Sequence, residues 1–235
     1  MASSIELSAA RKQHTSKYKE SDIRSLKADA QFLTALLEKK YAGTPFSFTW
    51  EPIVFLKGIV DELKKNYPDK EFEEYDEKAN FRPNGGVIYL HHKTESYPVL
   101  ISEIKKQGTN DKQREMDMPD QPLGNAIERL AKNIKVSNLM CASLPYNCFV
   151  CFGYGCDFTP GSNMMDRVSS MNDMFKLNTF HIDRSKYTPF APTSLFFRVK
   201  PFSKLERTHI MLQIVAECLR LKGVDTAAIN QSVAA

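Results

Sequence analysis

Apolar residues recur at helical spacing between Ser21 and Lys40, where Ile23, Leu26, Phe32, Leu33, Leu36 and Leu37 gather toward one side and Ser21 can cap the start. The same period over Glu51–Asn66, through Ile53, Leu56, Ile59, Val60 and Leu63, predicts a second amphipathic helix. The charged, turn-rich stretch Tyr67–Asn80 then breaks the pattern. Beyond it, Gly86–His91 and Tyr97–Lys105 read as the strands of a hairpin, with His92–Ser96 as the turn. Lys106–Pro122 is polar and reads as a loop. Leu123–Met140 returns to helical periodicity through Ile127, Leu130, Ala131, Ile134 and Leu139. Tyr146–Phe152 is a further strand, ended by Gly153-Tyr154-Gly155. Asn163–Phe175 and Thr208–Lys222 read as helices on either side of a short strand at Ser194–Val199. This order predicts an α/β domain with a central mixed sheet flanked by helices.

A length of 235 residues suits a single domain over 1–235. Within it, Met1–Glu20 reads as a basic N-terminal arm carrying Arg11, Lys12, Lys17 and Lys19, either frayed or touching phosphates. Gly223–Ala235 reads as a loose tail. Hydrophobic residues at 42% and charged residues at 26% allow a core without disulfides or a structural metal. A net charge of +4 is compatible with a polyanionic partner but does not require one.

The cysteines number five, an odd count that fits a reducing cytoplasm. Cys148 and Cys151 have C-x-x-C spacing. They lie in the apolar run Asn147–Phe152, with no second Cys/His pair at zinc spacing, and so read as buried structural thiols. No apolar stretch reaches membrane-spanning length, and Met1–Ser8 lacks a signal-peptide core, so the expectation is a cytoplasmic protein with no membrane partner. The histidines read as structural or surface residues.

Candidate chemistry sits at the hairpin. Pro83-Asn84-Gly85-Gly86 precedes its first strand, and Glu103-Ile104-Lys105 ends its second. Residues i and i+2 of a strand share a face, so Glu103 and Lys105 project together while Ile104 packs behind. A carboxylate beside an ammonium suits phosphodiester hydrolysis, the first holding a divalent cation and the second placing water and offsetting phosphate charge. The triplet alone is commonplace, and its ordinary meaning is a solvated strand edge with an ion pair.

The following segment is more specific. Gly124-Asn125-Ala126-Ile127-Glu128-Arg129, followed by Lys132-Asn133-Ile134, resembles the recognition segment of the EcoRI-like type II restriction endonucleases, which carry the same G-N-A-I-E-R and K-N-I. Arg82–Gly86 is similar to that family's K-P-D-G-G, and Pro98–Gly108 to its strand ending in E-A-K-H-Q-G. Phe149–Phe158 is similar to its next core strand, and Asp166-Arg167-Val168-Ser169 to a later D-R-L-T. The likeness spans residues 82–158, about a third of the chain.

The resemblance implies the PD-(D/E)XK fold and Mg²⁺-dependent hydrolysis of double-stranded DNA at a palindrome containing AATT, leaving a 5′ four-base overhang. It implies a homodimer, with the helix from Leu123 through Leu139 and Met140 at the interface, and a companion DNA methyltransferase. By the same likeness the catalytic residues are Asn84, Glu103 and Lys105. The Mg²⁺ ligands are Asn84, Glu103 and the backbone carbonyl of Ile104, with Lys105 beside the attacking water. Asn125, Ala126 and Arg129 read bases within the segment that starts at Gly124, and Glu128 orients arginines. Arg82, Lys132 and Asn133 contact phosphates, and Gln107 and Arg167 complete the DNA-binding set.

The chain departs from the family pattern at two places. Asn84 replaces the first metal-binding aspartate, and a neutral amide oxygen holds Mg²⁺ less well, so cleavage is expected to be severely reduced while DNA binding survives. Asn84 is either a substitution that traps an uncut complex or this member's own residue, and the intact neighbouring motif favours the former. Deamidation of Asn84-Gly85 could slowly restore an aspartate. Gln121-Pro122-Leu123 replaces the Met-Ala-Ala of the EcoRI pattern. Proline lacks an N–H, so reading of the outer base pair is expected to relax, as in an ApoI or XapI type of site, R-AATT-Y. A non-cleaving DNA-binding module is the first alternative. A repair nuclease of the same fold is the second, and it would not need the G-N-A-I-E-R segment.

Overall fold

The computed structural model describes the backbone over residues 4–107, 124–227 and 229, and side chains over 20–107, 127–227 and 229. Helix α1 spans Ser4–Lys40, not the expected Ser21–Lys40. Residues 4–20 contain no Gly or Pro and are rich in Ala, Glu, Lys and Arg, so intrinsic propensity carries the helix through Ser21 instead of starting at it. The basic arm is thus helical from Ser4 onward.

Strand β1, Phe46–Glu51, occupies part of what the periodicity assigned to linker and helix. Its alternation of Phe46, Phe48 and Trp50 with Ser47, Thr49 and Glu51 is a strand pattern. Helix α2 begins only at Leu56 and runs to Asn66, after the short strand β2, Val54–Phe55. Strand β2 pairs with β3, Asn80–Phe81. The hairpin is present as β4, Gly86–His92, and β5, Glu95–Lys106. Helix α3 covers Gly124–Met140, and β6 covers Phe149–Tyr154. Helix α4 runs over Asn163–Met171 and stops short of the expected Phe175, with Asp173 and Met174 at positive φ. Strand β7, Ser194–Arg198, and helix α5, Lys204–Leu221, complete the order.

The main sheet has five strands in the order β1-β4-β5-β6-β7. β1, β4 and β5 are antiparallel, and β5, β6 and β7 are parallel, giving the mixed central sheet that the sequence predicts. Two crossovers, through α3 and through α4, link the parallel strands. Right-handed crossovers step in one direction along the sheet, so both helices belong to one face. Helices α1 and α5 pack on each other and against β5, covering the sheet from the other side.

Gly153 lies inside β6 and does not end it, because Phe197 of β7 fills the space a side chain would need, with a Cβ falling 2.0 Å from the ring. The strand ends at Tyr154, and the chain turns at Gly155, where φ is 132°. The tail is held at its start: Val224 and Ile229 are buried, and Tyr41 Oη donates to the Asp225 carbonyl at 2.7 Å. Among the described residues no helix is long and apolar enough to cross a membrane.

Candidate functional site

The turn carrying Asn84 is fixed from three sides. Gly86 has φ +81° and donates its N–H to the Pro83 carbonyl at 3.0 Å, closing the turn. Gly85 donates to the Ser102 carbonyl at 2.9 Å, and the Trp50 indole donates to the Gly85 carbonyl at 2.8 Å. A Cβ at Gly85 would fall 2.0 Å from Ser102 Oγ and 2.8 Å from Leu26, so only glycine lets the turn lie this close to β5. The bond to Ser102 also restrains the Gly85 nitrogen from attacking the Asn84 amide, the step deamidation requires.

This packing brings the three motif positions together. Asn84 donates its backbone N–H to Glu103 Oε2 at 2.7 Å. Lys105 Nζ reaches Glu103 Oε1 at 2.6 Å. Asn84 Nδ2 donates to the Ile104 carbonyl at 2.7 Å. The Glu103 side chain is 1% exposed and that of Lys105 14%, so the ion pair sits in a low-dielectric pocket with both carboxylate oxygens satisfied. In register, Cys151 of β6 faces Glu103. Burial, and then the Glu103 charge, push its thiol well above the usual range, so it stays neutral beside the carboxylate.

Divalent cations of the Mg²⁺ kind require several oxygen ligands, preferably anionic. Two oxygens at 2.7 Å without a hydrogen between them would repel, so it is the amide nitrogen of Asn84 that faces the Ile104 carbonyl. One expected ligand therefore presents a donor, the second is covered by it, and Glu103 already accepts two bonds. Glu103 and Lys105 also cancel in charge. No group of three or more His, Cys, Asp or Glu side chains able to hold a metal occurs among the described residues. As they stand, these residues do not fit the cation.

Helix α3 follows β5 through a parallel crossover, so its first turn starts at the end of the sheet where β5 ends, the end occupied by Glu103 and Lys105. The carboxyl ends of parallel strands are where ligands of open α/β sheets bind. Gly124, Asn125 and Ala126 form the start of α3. Ile127, Leu130 and Ile134 are buried against the core, which leaves Glu128, Arg129 and Lys132 exposed and Asn133 half-buried. Arg82 is exposed two residues from Asn84, its Nε donating to Asn80 Oδ1 at 2.7 Å. Gln107 extends the β5–β6 pairing through its N–H to the Tyr154 carbonyl at 2.8 Å. Arg167 is exposed on α4, which packs against α3. Gln121-Pro122-Leu123 lies outside the described residues.

Trp50, Ser102 and Cys151 shape the site without belonging to its motif. The alternation around Trp50 could have revealed its strand. The placement of Ser102 and Cys151 follows from register, which no local pattern gives. His91 bonds Thr49 and Ser96, and buried His181 bonds the Lys176 carbonyl; neither reaches the site.

The family model described as "Restriction endonuclease EcoRI" matches residues 10–162, about two thirds of the chain. The match takes in the Asn84 turn, β5 and all of α3. No curated protein matches the chain.

Proposed function

The chain belongs to the EcoRI family of restriction endonucleases, and on that premise we propose that it is a homodimeric reader of DNA palindromes containing AATT whose cleavage is impaired at Asn84. Restriction endonucleases of this family are site-specific nucleases that bind DNA and generally use divalent metals. The ion we assign to the reaction is Mg²⁺, and the product a 5′ four-base overhang. A companion DNA methyltransferase protecting the same site, and a cytoplasmic location, complete the reading.

The observation that supports it most is the convergence of Asn84, Glu103 and Lys105 at the end of β5, where Asn84 and Lys105 both bond the Glu103 carboxylate and the Asn84 amide bonds the Ile104 carbonyl. Lys105 holds a positive charge where a scissile phosphate would lie. Glu103 keeps that ammonium in place, and the Gly85 turn sets the distance between them. Asn125, Ala126 and Arg129 read the inner base pairs, the asparagine and arginine through donors that suit purine edges in the major groove. Glu128 orients arginines, and Lys132, Asn133, Arg82, Gln107 and Arg167 hold the backbone. A palindrome read once per strand calls for two-fold symmetry. Proline at position 122 relaxes the outer pair, giving R-AATT-Y.

Binding in Ca²⁺ to duplexes that differ only in AATT tests this directly. Tight binding to every R-AATT-Y duplex, and weak binding once AATT is scrambled, is expected. Equal binding to scrambled DNA contradicts the reading, and binding confined to G-AATT-C contradicts the relaxed outer pair. A second reading, a DNA-binding module that never cuts, draws on the Asn84 amide occupying the Ile104 carbonyl. It differs from the first in the behaviour of Asn84→Asp in Mg²⁺.

A further inference from the structure

The disagreement between the site and a cation has a constructive side. A carboxylate at position 84 would set an acidic oxygen against the Ile104 carbonyl across the 2.7 Å that the amide N–H now spans. Two acceptors in that position need a donor or a cation between them. The turn cannot simply swing away, because Gly85 is bonded to Ser102 and braced by Trp50. With aspartate the pocket would hold two negative charges against Lys105, whereas with asparagine it is neutral.

We infer that Asn84 stands in for the divalent cation. Its side-chain amide supplies the positive hydrogen-bonding group that the Ile104 carbonyl needs and so holds the Asn84 turn against the end of β5 without metal. Asn84 is then a positioning residue and not a weak ligand, which replaces the expectation drawn from the family pattern. The fold of this chain, and its grip on DNA, are therefore indifferent to divalent cations, and Asn84→Asp makes both depend on them. The DNA part rests on the nuclease reading above, and the stability part does not.

The test uses the full chain, Asn84→Asp and Asn84→Ala, each in EDTA and in millimolar Ca²⁺, which occupies such sites without supporting cleavage. In EDTA the parent should have the highest Tm, and Ca²⁺ should leave it unchanged. Asn84→Asp should melt lower in EDTA and recover in Ca²⁺, while Asn84→Ala melts lower and recovers less. Affinity for an AATT duplex should agree within about twofold in the two buffers for the parent, and rise about tenfold or more with Ca²⁺ for Asn84→Asp. Trp50, the one tryptophan of the chain, reports locally through its bond to Gly85, and its emission in the parent should not respond to Ca²⁺.

A parent that gains Tm or changes emission in Ca²⁺ overturns the inference, even if neither variant folds. So does an Asn84→Asp chain as stable as the parent in EDTA. If the stability pattern holds and no form binds the AATT duplex, the nuclease reading fails while the role of Asn84 stands.

Discussion

At the scale of the residue, the Glu103–Lys105 pair is more than a surface ion pair. With the carboxylate 1% exposed, the Lys105 ammonium offsets its charge while the Asn84 N–H bonds its second oxygen. Lys105→Ala should cost about 3 kcal/mol of stability in urea unfolding, the loss typical of removing one charge from a buried ion pair. The double variant Glu103→Gln/Lys105→Met, which removes both charges, should lose clearly less. Equal losses would mean that the pair is solvated. The relation between Glu103 and Lys105 was legible in the sequence because strand alternation is a local rule. The bond from Asn84 to Ile104 was not, since it depends on how closely the Gly85 turn approaches β5.

At the scale of the element, helix α5 starts four residues before the expected Thr208 because Ser203 and Glu206 form a capping box. Ser203 Oγ accepts from the Glu206 N–H at 3.2 Å, and Glu206 Oε2 accepts the Ser203 N–H at 2.7 Å. Arg198 at the end of β7 bonds both oxygens of the same carboxylate at 2.7 Å. That guanidinium first, and the Ser203 bonds next, lower the Glu206 carboxyl from 4.5 to about 2. A carboxyl depressed in the folded state stabilises fully above its unfolded value and loses that contribution as it protonates. Tm of the parent should therefore exceed that of Glu206→Gln above pH 4.5, and the two curves should converge as pH falls toward about 2. A constant gap across that range contradicts this role. The capping signal was present in the chain, but the apolar period that defines the helix starts later. For β1, the helical period that follows masked a short alternation whose partner, β4, lies forty residues on.

At the scale of the molecule, the α/β class followed from element order alone, because parallel strands need crossovers and right-handed crossovers leave few arrangements. That topology puts the start of α3 at the end of the sheet where β5 ends, the edge to which the proposed function assigns both base reading and phosphate chemistry. Within the proposed function the two kinds of contact separate experimentally. Arg129→Ala should lower discrimination against altered AATT sites by about 1–3 kcal/mol, whereas Lys132→Ala should weaken all sequences alike and reduce the salt dependence of binding. The most direct test of the whole account is cleavage by Asn84→Asp in Mg²⁺ on duplexes with and without AATT. The expected result is cutting on the 5′ side of AATT by the variant, with the parent leaving the same DNA essentially intact. Failure of Asn84→Asp to cut any AATT-containing duplex, or a parent that cuts as fast as the variant, would contradict it.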